Sequence, residues 1–167
     1  MAGSQAPEPA GQRASETLSA PAPRPRFRLA HASLAVDDLD RAVAFYRAAF
    51  DAEALLVDHG MTDLIARTVG VEGAGADLAQ LRLPGTEQAI ELIAFRGVPA
   101  GREDDAPTRV GHGHVCFEVD DLDVARAHVE ALGAVAVGEV VHFPEGRAVY
   151  LREPAGSVFE LEEIAPS

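Results

Sequence analysis

The chain of 167 residues contains no lysine and no tryptophan, and Cys116 is its single cysteine. Without lysine there is no Schiff-base chemistry, no internal pyridoxal attachment and no phosphate-loop lysine. A lone cysteine forms no internal disulfide and no multi-cysteine zinc site, so we expect a cytoplasmic protein in a reducing environment. We expect Cys116 itself to be a small buried residue on a strand rather than a reactive thiol.

Positive charge is also scarce: the chain has 14 arginines and 27 acidic residues, which gives a net charge of −13. Such a surface repels phosphate backbones and anionic lipids, so we expect neither a nucleic-acid nor a membrane partner. No apolar run approaches the length of a membrane span, and the N-terminal segment lacks the apolar stretch of a secretory signal. The abundance of alanine, glycine and arginine suggests a GC-rich bacterial genome. A small molecule is the expected binding partner.

The composition divides the chain into four parts. Residues 1–26 are mostly small and polar, which predicts a flexible tail. Residues 97–110 contain two prolines and a run of charged side chains, which predicts a linker. The parts between, 27–96 and 111–164, have enough apolar residues, in a chain that is 47% hydrophobic, for one compact domain of roughly 140 residues.

These two parts are copies of one another. The pentapeptide VDDLD occurs at Val36–Asp40 and again at Val119–Asp123, and a histidine, His31 or His114, precedes each copy by the same distance. Each copy later reaches a strand-like segment in which glutamate precedes leucine, at Glu91 and at Glu160. An internal repeat that supplies a potential metal ligand at both ends of each copy suggests one shared site built by two related halves.

The apolar periodicity predicts the order β-α-β-β-β in each copy. In the first, a strand over Phe27–Val36 places His31 on the face opposite the helix, and Asp37 or Asp38 caps a helix over Leu39–Phe50. In the second, His112 and His114 share one face of a strand, and Gly133 ends a helix over Leu122–Leu132. The remaining predicted strands are 54–58, 77–83 and 89–95 in the first copy and 135–141, 148–152 and 158–164 in the second.

The segment Met61–Asp77 has no counterpart in the second copy, where the histidine and the glutamate are closer together in sequence. We expect a loop or short helix there. Inserted segments of this length often form lids or pocket walls.

The motifs HASLAVDDLDRAVAFYRAAF, AIELIAF, GHGHVCFEVDDLD and LREPAGSVFELEE resemble the vicinal oxygen chelate superfamily, which includes glyoxalase I, methylmalonyl-CoA epimerase, extradiol dioxygenases and antibiotic-resistance binding proteins. The resemblance covers Phe27–Ile164. It implies a glyoxalase-like α+β fold, in which two βαβββ modules form an open barrel around a divalent metal. By correspondence, the metal ligands are His31, Glu91, His114 and Glu160.

The resemblance also implies a chemistry. A donor set of two imidazoles and two carboxylates suits one divalent ion per site, Zn, Ni, Co, Mn or Fe(II). The implied function is that of an isomerase or lyase acting through a metal-stabilised enediolate on a small oxo or acyl substrate, with Glu160 as the first choice of catalytic base and Glu91 as the second. We expect a homodimer. Whether the site forms within one chain or across the dimer stays open.

Two other functions are possible within the same family. An extradiol-type dioxygenase uses two histidines and one glutamate, so a fourth ligand at Glu91 counts against ring cleavage. An antibiotic-binding resistance protein commonly lacks the metal ligands, which this chain retains.

Two particular enzymes of the family are disfavoured by single residues. Ala35 and Phe95 replace residues that contact glutathione in bacterial glyoxalase I, and Glu153 with Pro154 replaces a His-Pro element usual in methylmalonyl-type epimerases.

Five further residues are candidates for the substrate pocket: one shares a strand face with the expected ligand His114, and the others form two pairs, each on one strand face that could border the cavity. Their alternative role is that of ordinary strand residues. They are His112, Tyr150 and Arg152 in the second copy, and Gln80 and Arg82 in the first.

Overall fold

A computed structural model describes residues 28–98, 107–108 and 110–165. The predicted tail over residues 1–26, Phe27 and most of the predicted linker lie outside the described residues.

The first module forms a four-stranded sheet with two helices. Its elements are β1 (His31–Ala35), α1 (Leu39–Phe50), β2 (Glu53–Met61), α2 (Asp63–Val69), β3 (Gly75–Arg82) and β4 (Ala89–Arg96). The strand order is β1-β4-β3-β2, in which β1 and β4 are parallel and the other neighbours are antiparallel. The insertion expected after β2 contains the short helix α2.

The second module repeats this topology without a counterpart of α2. Its elements are β5 (Val115–Glu118), α3 (Leu122–Ala131), β6 (Val135–Ala136), β7 (Val141–Phe143), β8 (Gly146–Arg152) and β9 (Val158–Ile164). The strand order is β5-β9-β8-β6, and β7 also pairs with β8. The predicted α+β fold of two related modules is therefore confirmed.

The repeated pentapeptide caps the two main helices. The Asp38 carboxylate accepts a hydrogen bond from the Arg41 backbone N–H at 2.9 Å, and Asp121 accepts from the N–H groups of Asp123 and Val124 at 3.0 Å. These bonds satisfy backbone donors that have no partner within the first turn of a helix. The predicted helix over Leu39–Phe50 is confirmed. Among the described residues, no helix combines the length and the apolar character needed to cross a membrane.

Several predicted strands were wrong in extent, including two in the second module. The strand expected over residues 135–141 is broken into β6 and β7, and Gly138 lies in the gap, where a residue without a side chain weakens strand pairing. Strand β5 begins at Val115, after His112 and His114, since the two glycines of the GHGH segment interrupt the extended run. His114 therefore precedes the strand on which it was expected.

One hydrophobic core joins the two modules, and α1 lies at its centre. The Phe50 ring stacks on Phe117 with centroids 4.0 Å apart, and the Phe45 ring contacts Phe159 at 5.8 Å. The same cluster contains buried residues of both sheets, among them Leu34, Leu81, Ile90, Leu92, Val149, Leu151 and Leu161. The modules are thus joined by apolar burial, which is the main favourable term in folding.

Strand alternation places the two candidate glutamates away from this core. Ile90 and Leu92 flank Glu91 and point into the core, and Phe159 and Leu161 do the same around Glu160. Successive side chains of a strand point to opposite faces. Each sheet consequently packs one face into the shared core and presents its glutamate on the other.

The central position of Phe159, which is fully buried, predicts a large loss of stability on truncation. Phe159→Ala should lower the free energy of unfolding by about 3–5 kcal/mol, because it removes a ring and leaves a cavity where the modules meet. Phe143→Ala is the matched control, since that ring is 54% exposed and its removal should change stability by no more than about 0.5 kcal/mol. Urea unfolding followed by circular dichroism measures both, and equal losses would contradict the shared core.

Candidate metal centre

The first half-site consists of His31, Glu91 and Gln80. His31 and Glu91 lie on the neighbouring parallel strands β1 and β4, and His31 Nε2 is 3.8 Å from Glu91 Oε2. Gln80 is directly opposite Glu91 in the β3–β4 ladder, and its Nε2 lies 3.4 Å from the same carboxylate oxygen. The Glu91 side chain is 15% exposed and the His31 ring 37% exposed. The first module therefore presents one imidazole and one carboxylate together.

The second half-site consists of His114, Glu160 and Tyr150. His114 Nε2 is 3.1 Å from Glu160 Oε2 and 3.2 Å from the Tyr150 hydroxyl. Tyr150 is opposite Glu160 in the β8–β9 ladder, which is the position that Gln80 has relative to Glu91. The duplication thus repeats three positions: a histidine, a glutamate and a polar side chain facing that glutamate from the next strand.

The surroundings of Glu160 disfavour the negatively charged forms of the neighbouring Tyr150 hydroxyl and Cys116 thiol. Burial, together with the Glu160 carboxylate, raises the pKa of Tyr150, so its hydroxyl stays protonated at neutral pH and available as a hydrogen-bond donor. Partial burial and the carboxylates of Glu160 and Glu162 raise the pKa of the Cys116 thiol to about 12.

Cys116 is exposed overall, so its predicted burial was wrong. It lies on the face of β5 that carries Glu160 rather than on the core face.

The two half-sites do not meet within one chain. No group of three or more histidine, cysteine or acidic side chains that could hold a metal occurs in the ranges that the structure describes. Each half-site supplies one nitrogen and one oxygen donor of the kinds that divalent ions take. A protein site for such an ion normally has at least three protein ligands, so each pair fits half of a metal centre.

A cavity of about 810 Å³ lies where the first module meets the second. Glu91 lines it from the first module, and His112 and Arg152 line it from the second. The inserted helix α2 contributes Ile65, Thr68 and Val69 to the wall, which confirms the expectation that the insertion borders a pocket. The volume falls within the range of small-molecule sites.

The pocket candidates separate into three groups. Gln80 and Tyr150 belong to the half-sites, and His112 and Arg152 line the cavity. Arg152 is held in place there, since its guanidinium donates to the Gly156 carbonyl at 2.7 Å. Arg82 forms an exposed ion pair with Glu53 and is not among the cavity residues, so its predicted pocket role is not supported. Its position at the end of β3, two residues beyond Gln80, explains this.

Glu153 has a role that the sequence analysis missed. Its carboxylate is 2% exposed and accepts hydrogen bonds from the backbone N–H groups of Ala155 and Ser157 and from the Ser157 hydroxyl. It thereby shapes the turn between β8 and β9, which lines the cavity through residues 155–157. An acidic residue beside a Pro-x-Gly turn was the signal in the sequence, because carboxylates readily accept backbone donors in turns.

Residues 28–161 match the family model of the Glyoxalase/Bleomycin resistance protein/Dioxygenase superfamily. The chain belongs to this superfamily. Among curated proteins, it is 32% identical over 149 residues to an ethylmalonyl-CoA/methylmalonyl-CoA epimerase of Cereibacter sphaeroides, in an alignment that covers 82% of this chain and 98% of the epimerase.

Solved structures agree with this superfamily assignment. A glyoxalase family protein from Bacillus cereus has a TM-score of 0.71 and 25% identity, and the match covers 88% of this chain and 100% of that one. A variant of the fosfomycin resistance protein FosX from Listeria monocytogenes, solved with Mn(II) and 1S,2S-dihydroxypropylphosphonic acid, has a TM-score of 0.53 and 19% identity over 81% of this chain and 88% of its own. At that identity the FosX match supports the fold alone.

The buried carboxylate of Glu153 predicts a stability effect at the cavity. Glu153→Ala should lower the free energy of unfolding by about 1–3 kcal/mol, because two buried N–H groups lose their acceptor. Glu145→Ala, a change of the same chemistry at an exposed position, should alter stability by no more than about 0.5 kcal/mol. Thermal and denaturant unfolding provide the measurement. Equal stability of the two variants would show that the turn does not depend on this carboxylate.

Proposed function

We propose that the protein is a metal-dependent isomerase that moves a proton at the carbon next to a carbonyl group, with an acyl-CoA thioester of the malonyl type as substrate. The observation that carries this proposal is the 32% identity to an ethylmalonyl-CoA/methylmalonyl-CoA epimerase along nearly the whole of that enzyme. The two half-sites support it, because they supply the acid–base and ligand groups that such a reaction needs.

His31, Glu91, His114 and Glu160 would hold the ion, and Zn, Ni, Co, Mn and Fe(II) all suit these donors. When bound, the ion supplies a Lewis acid that offsets the negative charge developing on the substrate carbonyl oxygen.

Glu160 is the proposed base. Its carboxylate is 18% exposed, so a substrate can reach it while the surrounding protein limits its hydration. Tyr150, neutral at working pH, lies beside it and hydrogen-bonds to the His114 ring, which positions the imidazole. An epimerisation returns the proton to the opposite face of the carbon, and this step requires a second acid–base group. Glu91, positioned by Gln80, is the proposed second group.

The cavity, which Glu91 lines and Glu160 does not, suits the anionic and alkyl parts of the proposed substrate. Arg152 and His112 supply donors for an anionic group such as the free carboxylate of a malonyl thioester. Ile65, Ile93 and Phe95 provide an apolar surface for a short alkyl branch. The departure at Glu153 and Pro154, which disfavoured an epimerase in the sequence, concerns a residue whose carboxylate is engaged in the turn. At this position the chain has a residue with a structural role in the turn, and the proposed ligands and acid–base groups lie elsewhere.

Metal content tests the proposed ligands. Protein purified without chelators should contain about one divalent ion per site, and the double variant His31→Ala, His114→Ala should contain almost none, because half of the donor atoms are lost. The control is His128→Ala, a histidine of α3 outside both half-sites, which should keep the ion. Elemental analysis gives the stoichiometry. An empty wild-type protein would instead favour a metal-free binding protein.

Proton exchange tests the reaction. In deuterated water without oxygen, the enzyme should introduce deuterium next to the thioester carbonyl of methylmalonyl-CoA or ethylmalonyl-CoA. Glu160→Gln should slow this exchange about 10²–10⁴-fold, the usual contribution of a general base. Glu162→Gln, which changes a carboxylate on the same strand face, should stay within about threefold of wild type. Mass spectrometry of the thioester measures both rates. In a parallel assay in air, oxygen uptake without deuterium exchange would contradict the proposal and favour ring cleavage.

A further inference from the structure

Helix α2 lies beside the first half-site, on the same face of the sheet. Ile65 of this helix is buried with Leu78 and Ile93 in a small hydrophobic cluster that is separate from the core shared by the modules. Leu78 pairs with Ile93 in the β3–β4 ladder, and the pair Gln80–Glu91 lies two residues along. Two residues of a strand span about 7 Å and return to the same face. The cluster is therefore the immediate neighbour of Glu91.

The second module has a different neighbour at the equivalent position. In the β8–β9 ladder, the residue that corresponds to Ile93 is Glu162, which is paired with Ala148. The second module, whose residues 110–165 are all described, has no counterpart of α2. Two half-sites built from one repeat are thus bordered by apolar side chains under a helix in one case and by an acidic strand residue in the other. This difference can orient a substrate that has an apolar and a charged end.

The side of α2 that lines the cavity offers apolar contact. Val69 lines the cavity and is 41% exposed, and Phe95 of β4 lines it as well and is also exposed. The Thr68 hydroxyl donates to the Leu64 carbonyl at 2.8 Å, so its proton is used within the helix. The buried Ile65 forms the closed end of this wall. Exposed apolar side chains inside a cavity favour an apolar ligand group, because binding removes both surfaces from water.

We propose that α2 closes an apolar subsite for the alkyl branch of the substrate, and that the protein therefore prefers alkylmalonyl thioesters with an ethyl or propyl branch over the methyl compound. This inference rests on the proposed function and adds which members of the substrate class the cavity selects. Glu91, the proposed second acid–base group, lines the same cavity as Ile93 and Val69. A carbon that exchanges its proton with Glu91 thus carries its branch beside these apolar side chains.

The expected preference follows from the apolar surface that the branch covers. Each branch carbon that leaves water should raise kcat/KM about fourfold, which corresponds to roughly 0.8 kcal/mol per buried CH2 group. A methyl group is too short to cover both Val69 and Phe95, which lie on different elements of the wall.

Val69 is the residue to change. A helix of seven residues is too short to be stable alone, and Ile65 is its buried contact with the sheet, so Ile65→Ala would release α2 instead of testing the subsite. Val69 is exposed at the end of α2, and its replacement leaves that contact intact. Val69→Phe fills the subsite with a ring, whereas Val69→Ala widens it.

Deuterium exchange into methyl-, ethyl- and propylmalonyl-CoA tests the subsite. In wild type, kcat/KM should rise about fourfold from methyl to ethyl. Val69→Phe should lower the ethyl and propyl values about tenfold and leave the methyl value within about threefold, because a crowded hydrophobic pocket discriminates between single methylenes. Val69→Ala should shift the preference toward propyl. Leu64→Phe is the matched control, since it places the same ring on the same helix at a residue that is 73% exposed and outside the described cavity lining.

The outcomes separate the subsite from the proposed function. Circular dichroism and urea unfolding establish first that the variants are folded. A loss confined to the longer branches in Val69→Phe, and absent from Leu64→Phe, supports the subsite. If wild type prefers the methyl compound or treats all three thioesters alike, or if Val69→Phe lowers all three values equally, the subsite is overturned while the proposed proton exchange stands. If wild type exchanges none of the three, the proposed function fails and the subsite with it.

Discussion

The packing of α1 between residues of both modules is the constraint on which the rest of the structure depends. Phe45 and Phe50 contact Phe159 and Phe117, and this contact joins two sheets that share no strand pairing in the described residues. Because strands alternate, the side of each sheet that is buried against this core determines the side on which Glu91 or Glu160 is presented. The packing of the hydrophobic core thus determines the face of each sheet on which its candidate metal-ligating glutamate lies.

Duplication explains why the two half-sites are so similar. The same pentapeptide caps the helix in each module through Asp38 and Asp121, and the same ladder geometry places Gln80 opposite Glu91 and Tyr150 opposite Glu160. The two modules differ in the residues beside their glutamates and along the cavity. The first has an amide beside its glutamate and α2 along the cavity, whereas the second has a phenol, an exposed thiol and the turn shaped by Glu153.

Membership of the superfamily narrows the chemistry without deciding the reaction, because one scaffold supports many activities. The substrate class proposed for this protein follows from the relation to an acyl-CoA epimerase and from the polar groups of the cavity.

Glu153 is a residue whose difference from the family pattern is interpreted differently once the structure is known. In the sequence, its replacement of a His-Pro element counted only against one type of epimerase, whereas in the structure its carboxylate accepts hydrogen bonds in a buried turn.

Local physical chemistry made much of this protein predictable from its sequence. The repeat, the helix caps and the face of β1 on which His31 lies follow from spacing and strand alternation, which need no knowledge of distant contacts. The break at Gly138, the position of His114 before its strand and the exposure of Cys116 were not predictable in this way, since they depend on which strand pairs where and on which face packs inward. Tertiary structure alone decided that the four candidate ligands form two separate pairs. A sequence with two equivalent modules is compatible with several arrangements of them, and only the burial of α1 against both sheets selects one.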